Sequence, residues 1–158
     1  MKVQIKDGVS FECNNDFLLR SALEQGLGFP YECASGSCGN CRFELLSGDL
    51  DYPNGQPGIL SEKDLERNRH LACQCVPMTD LEIKVRLFDQ YEPVHNPSRF
   101  TGKLVAIEEV THDISEFRFE TDSGQIFEPG QFALIDVPGV EGARAYSMCN
   151  VGGSPGSW

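Results

Sequence analysis

At 158 residues, with 40% hydrophobic and 23% charged side chains, the chain has a globular composition and room for one ordinary domain or two small ones. Its formal net charge is −11, with 9 basic and 14 acidic side chains in residues 1–90 and 4 and 10 in residues 91–158. That balance excludes nucleic acid and anionic membrane as partners and points to a partner with a basic docking surface.

The first residues, Met1 to Phe11, contain no apolar signal segment, and no stretch approaches the length of a membrane span, so a cytoplasmic protein is expected. Val3 to Lys6 and Val9 to Cys13 alternate apolar and polar residues across Asp7-Gly8, which predicts a β-hairpin. Asn14, Asn15 or Asp16 is placed to cap a helix whose Leu18, Leu19, Ala22 and Leu23 share one face before Gly26 ends it.

Next comes Tyr31 to Arg42, in which Cys33, Cys38 and Cys41 follow C-x4-C-x2-C, with Cys73 well downstream. This is the plant-type spacing for ligating a [2Fe-2S] cluster, with the fourth ligand remote in sequence. Three thiolates so close together demand a loop wrapped round one object, and Gly36 and Gly39 allow the wrap because glycine reaches positive φ freely. Inward-turned N–H groups would then form a nest around the sulfurs.

Other readings are weaker. Structural zinc normally takes a second tight cysteine pair. A Rieske centre needs two histidine ligands, and His70, His95 and His112 are all far from the loop in sequence, as surface or capping residues would be. Buried cysteines acting as small hydrophobes do not explain the glycine and small polar neighbours. The odd total of seven cysteines and their grouping suit metal ligands plus free thiols in a reducing compartment. By spacing alone, Cys75 rivals Cys73 for the fourth position.

Phe43 to Leu46 reads as a strand turned by Ser47-Gly48, and Pro53, Asn54, Gly55, Pro57 and Gly58 mark a surface loop. Ser61 to Arg69 is a predicted helix, with Ser61 as cap, Asp64 as the third-position acid and Leu60 stapled to Leu65. It returns the chain toward the cysteine loop. Leu81, Ile83, Val85 and Leu87 alternate with Glu82, Lys84 and Arg86, giving a strand with one buried face.

Periodicity stops from Phe88 to Arg99, where Pro93 and Pro97 appear, and the linker is placed at 91–99. Beyond it, Lys103 to Val110, Glu116 to Thr121 and Gln131 to Val137 predict antiparallel strands, with turns around Asp113, Ser123-Gly124 and Pro138-Gly139. No G-x-G-x-x-G or P-loop glycine motif is present. Gly152 to Gly156 spells G-x-S-x-G, but Pro155 lacks the N–H that a nucleophile elbow aims at its oxyanion.

Residues 1 to about 90 resemble the plant-type ferredoxin domain, and Leu71-Ala72-Cys73-Gln74 resembles that family's fourth-ligand segment. The resemblance implies a β-grasp fold within an overall α+β chain, with Cys33, Cys38, Cys41 and Cys73 as ligands and Cys75 as a core residue. Arg144-Ala145-Tyr146-Ser147 resembles the R-x-Y-S motif of the ferredoxin-reductase flavin domain, and Pro129-Gly130-Gln131 resembles the P-G-Q before one of its barrel strands. It implies that residues 100–158 begin an antiparallel FAD-binding β-barrel. There Arg144 would bind the FAD pyrophosphate, Tyr146 would lie along the isoalloxazine and Ser147 would hydrogen-bond near its redox-active nitrogen.

The whole chain is similar to the N-terminal half of reductase components of multicomponent bacterial monooxygenases of the toluene and phenol type, and reductases of Rieske ring-hydroxylating dioxygenases share the layout. The resemblance implies electron flow from NADH through FAD and the [2Fe-2S] cluster to an oxygenase or an intermediary ferredoxin. The family's NADH domain has no counterpart in these residues, so a piece of a longer reductase is expected. The non-enzymatic alternative is a stand-alone ferredoxin that only carries electrons, and a zinc-held interaction module is the third.

Overall fold

The computed structural model describes residues 1–6, 8–121, 126–140 and 143–150. They group into two compact units, one of Met1–Pro97 with Asp136–Ala145, the other of Ser98–Ile135 with the described residues from Tyr146 onward.

The first unit opens with β1 (Lys2–Ile5) and β2 (Ser10–Glu12), paired antiparallel with Val3 opposite Phe11. Asp7, half of the predicted hairpin turn, lies outside the described residues; Gly8 has φ +102°, the left-handed region such a turn uses. Helix α1 (Leu18–Glu24) follows, and Leu18, Leu19, Ala22 and Leu23 are all buried as their spacing predicts. Its cap is not one of the expected side chains. Phe17 occupies the N-cap position without a side-chain bond. Instead, the Leu18 N–H donates to the Cys75 carbonyl at 3.0 Å and the Leu19 N–H to the Ala72 carbonyl at 2.9 Å. A segment remote in sequence thus satisfies N–H groups that the helix leaves open.

Strand β3 (Arg42–Ser47) leaves the cysteine loop, and the short pair β4 (Leu50–Asp51) and β6 (Val76–Pro77) lies beyond it. The second helix is shorter than its sequence pattern suggests: α2 spans Glu62–Glu66, with Ser61 and Asp64 forming the expected capping box. Asn68 turns with φ +49°, and Arg69–Leu71 becomes strand β5. Sheet pairing wins over helix continuation there, because Glu44, Phe43 and Arg42 of β3 pair with Arg69, His70 and Leu71.

Strand β7 (Leu81–Lys84) completes a five-stranded mixed sheet in the order β2-β1-β7-β3-β5, parallel only between β1 and β7. Leu81, Ile83 and Val85 are buried while Glu82, Lys84 and Arg86 are exposed, so the predicted alternation holds over those six residues. The core joins Val3, Ile5, Phe11, Phe43 and Ile83 of the sheet to the apolar face of α1 and to Phe29. A short 3-10 turn, Asp89–Tyr91, lies where periodicity stops.

Beyond residue 100 the strands are β8 (Gly102–Glu109), β9 (Ser115–Thr121), β10 (Phe132–Ile135) and β11 (Arg144–Ser147). Strands β8 and β9 pair antiparallel from Gly102 opposite Thr121 to Glu109 opposite Ser115. All eight residues of β8 are exposed, and no closed barrel forms among the described residues. The structure is thus α+β and sheet-dominated, with antiparallel β8 and β9 where the barrel was expected to begin. Ser123-Gly124 and the G-x-S-x-G stretch lie outside the described residues.

Candidate functional site

Three chain segments build the site: the loop from Tyr31 to Cys41, the start of β3, and the turn after β5. Register brings them together. Arg42 pairs with Leu71, and one step outward the Ala72 N–H donates to the Cys41 carbonyl at 3.0 Å. The chain then turns, with the Gln74 N–H on the Leu71 carbonyl at 3.0 Å, and Cys73 stands at the tip. The carbonyls of Ala72 and Cys75 are held by the first turn of α1, so both flanks of Cys73 are anchored.

The sulfurs fall into two pairs. Cys41 Sγ and Cys73 Sγ are 3.2 Å apart and buried. Cys33 and Cys38 are half-buried, and the Cys38 N–H donates to Cys33 Sγ at 3.4 Å. Further backbone donors aim at the same atoms: Ser35 N–H to Cys33 Sγ at 3.4 Å and Asn40 N–H to Cys38 Sγ at 3.5 Å. This is the expected nest of N–H groups around the sulfurs. Gly36 adopts φ +85° and Gly39 φ +77°, which lets the loop close.

The thiol acidities follow from these contacts. Partial burial pushes the Cys33 thiol up, but hydrogen bonds from the Ser35 and Cys38 backbones outweigh it and bring its pKa down to about 6. Cys41 is pushed up, first by donating its S–H to Cys73 and then by burial. Cys73 is lowered, chiefly because it receives that hydrogen bond, with Gln74 and the Gly36 backbone adding to it against burial. Thiolate character, the form that binds metal, is therefore favoured at Cys33 and at Cys73, one sulfur in each pair.

Cys75 is unlike them. It is fully buried, and desolvation raises its thiol. Its pairing is with the core, where Cys13 is also fully buried and donates to the Asp16 carbonyl at 3.2 Å. All seven cysteines are free thiols. Among the described residues no group of three His, Cys, Asp or Glu side chains is arranged to hold a single metal ion. Two separate thiol pairs fit a two-iron group, in which each iron takes two thiolates, better than one tetrahedral zinc.

Several neighbours carry no motif in the sequence. Arg42 Nε lies 3.7 Å from Asp64 Oδ1 and Arg69 Nη1 lies 3.8 Å from the same atom, tying α2 to β3 and β5. His70 was expected at the surface or as a cap. It is half-buried, its Nδ1 is 2.8 Å from the Tyr52 hydroxyl, and burial lowers its pKa. Gln74 donates from Nε2 to Cys73 Sγ at 3.7 Å. Its place directly after a candidate ligand was the only sequence signal for it.

Arg144, Tyr146 and Ser147 all lie on β11 and are exposed. Strand alternation puts Arg144 and Tyr146 on one face. The Arg144 guanidinium reaches the Ala143 carbonyl at 3.4 Å, and the Tyr146 ring lies 6.3 Å from that of Phe117.

A mixed sheet gripping one helix, with four thiols at the loop end, defines the class of ferredoxin-like iron–sulfur proteins, and residues 3–78 match the family model of the 2Fe-2S iron-sulfur cluster binding domain. A ferredoxin–NAD(P)+ reductase of Metapseudomonas resinovorans is 49% identical over 146 residues, covering 89% of this chain and 44% of the relative. The ferredoxin–NAD+ reductase component of the alkene monooxygenase system of Xanthobacter autotrophicus is 38% identical over 158 residues, covering 98% and 47%. The solved FAD apo form of the ferredoxin reductase in carbazole 1,9a-dioxygenase superposes with a TM-score of 0.92 at 42% identity, covering 99% of this chain and 52% of that one. The chain is thus similar, beyond its 2Fe-2S domain match, to ferredoxin-domain reductase components of oxygenase systems. It spans about half the length of the curated relatives it matches, 44% and 47% of the two named.

Proposed function

We propose that this chain carries the iron–sulfur and flavin-binding parts of an NAD(P)H-dependent reductase that delivers single electrons to an oxygenase component, directly or through an intermediary ferredoxin. The observation that carries the reading is the presence of two thiol pairs, Cys33 with Cys38 and Cys41 with Cys73, ringed by backbone N–H donors. A [2Fe-2S] cluster bound there supplies one-electron carriage at low potential, roughly −400 mV for the plant type.

The chain's own residues hold and insulate it. Cys33 and Cys38 would hold one iron from the loop, and Cys41 and Cys73 the other. The Ser35, Cys38 and Asn40 N–H groups offset the negative charge of the sulfurs, while burial of Cys41 and Cys73 keeps water from the inner pair. On β11, Arg144 offers a planar set of donors to the FAD pyrophosphate, Tyr146 offers a ring face to the isoalloxazine, and Ser147 offers a hydroxyl near its redox-active nitrogen. A flavin held there would supply exchange of both electron pairs and single electrons, the chemistry needed between NAD(P)H and a cluster.

The relatives named serve a monooxygenase and a dioxygenase, so the organic substrate is a property of the partner rather than of this chain. Seven free thiols fit the cytoplasm, where such groups stay reduced. Reconstitution of the purified chain with iron and sulfide under argon tests the proposal. A red-brown protein with equal iron and sulfide is expected. Colourless protein lacking both elements would end it, and zinc retained in their place would favour a structural module.

A further inference from the structure

Gln74 is set apart from the ligands by what its amide touches. Its Nε2 donates to the Cys73 carbonyl at 2.9 Å and to Cys73 Sγ at 3.7 Å, so both hydrogen bonds of that amide nitrogen go to the same neighbour. The side chain is held in that pose by the cysteine loop. A Cβ added at Gly36 would lie 2.9 Å from Gln74 Cγ and 3.0 Å from Cδ. Glycine at 36 therefore provides both the left-handed turn and the groove in which the Gln74 amide lies. Gln74 is half-buried, which strengthens a hydrogen bond relative to one in open water.

On the reading that a [2Fe-2S] cluster is bound by Cys33, Cys38, Cys41 and Cys73, we propose that Gln74 is a positioning residue that raises the cluster's reduction potential through its N–H bond to Cys73 Sγ. When one electron arrives from a flavin or an added reductant and none leaves, the cluster and its thiolates become more negative by one charge. A donor fixed on a sulfur stabilises that form more than the oxidised one. A half-buried hydrogen bond of ordinary strength changes the reduced-to-oxidised ratio by roughly threefold to tenfold, tenfold being 59 mV for a one-electron couple.

Two variants of the reconstituted chain separate this from packing. Gln74→Met keeps the length that fills the groove over Gly36 but has no donor; Gln74→Glu keeps the shape and adds an acceptor-only negative charge. Redox titration followed by visible absorbance and electron paramagnetic resonance should show the Met variant harder to reduce by about threefold to tenfold. The Glu variant should shift at least as far in the same direction, with iron and sulfide content unchanged in both. A Met variant that titrates with the wild type overturns the proposal. So does loss of the cluster from both variants, which would make Gln74 a purely structural support. Failure of the cluster reading itself is distinguishable, because the wild-type chain would then take up no iron or sulfide before any titration.

Discussion

Cys73 and Cys75 stand two residues apart and have opposite surroundings. The first shares a sulfur contact of 3.2 Å with Cys41 and receives further hydrogen bonds, while the second is sealed in the core behind the first turn of α1. Cys73→Ser is therefore expected to bleach the visible cluster band, and Cys75→Ser to leave it in place with some loss of stability. Absorbance together with iron analysis reads both outcomes; the reverse pattern would exchange the two assignments. C-x4-C-x2-C points to three of the four proposed ligands, Cys33, Cys38 and Cys41, because their spacing is local. The fourth is ambiguous at that level, since only β-pairing and the anchoring of residues 72 and 75 to the helix decide which thiol meets Cys41.

At the scale of elements, α2 is five residues long and depends on its ends. Ser61 Oγ accepts from the Asp64 N–H at 3.2 Å and donates to Asp64 Oδ2 at 2.7 Å, while the Ser61 N–H donates to the same oxygen at 3.2 Å. Ser61→Ala should cost about 1 kcal/mol by chemical denaturation, and an unchanged midpoint would show the cap to be idle. The Ser61 hydroxyl and backbone, then Arg42 and Arg69, hold the Asp64 carboxyl below its ordinary value of 3.8. A depressed folded pKa contributes stability above the unfolded value and loses it as pH falls through the folded one. Wild type should thus shed a stabilising increment on acidification below pH 3.8 that Asp64→Asn never has; parallel pH profiles for the two proteins would refute it.

Strand β7 is the element on which the sheet depends, since it pairs with both β1 and β3. Ile83 is fully buried at its centre, and Ile83→Ala should destabilise the first unit by roughly 2–5 kcal/mol through lost burial and a residual cavity. A loss under 1 kcal/mol would mean that the site collapses around the gap, contrary to close packing. The alternation that reveals this strand in the sequence needs only one buried face. The strands β4, β5 and β6 show no such signal, because two or three residues are too short for a period to register.

For the molecule as a whole, strand β11 is where the flavin reading is tested. Arg144→Ala should weaken FAD binding, followed by quenching of flavin fluorescence, by roughly tenfold to a hundredfold, as loss of a charge-assisted hydrogen bond would. Equal binding by the two proteins would remove Arg144 from the flavin site. Sequence patterning by itself determined the glycine-bearing turn of the cysteine loop, the apolar face of α1, the capping box of α2 and the alternation of β7, since each rests on residues close enough in the chain for their chemistry to be read together. Tertiary structure alone decided the true cap of α1, the early end of α2, the burial of His70 and the placing of Gln74 over Gly36 against Cys73. Those features join segments tens of residues apart, and only the competition between helix continuation, sheet pairing and burial selects among the partners that local sequence permits.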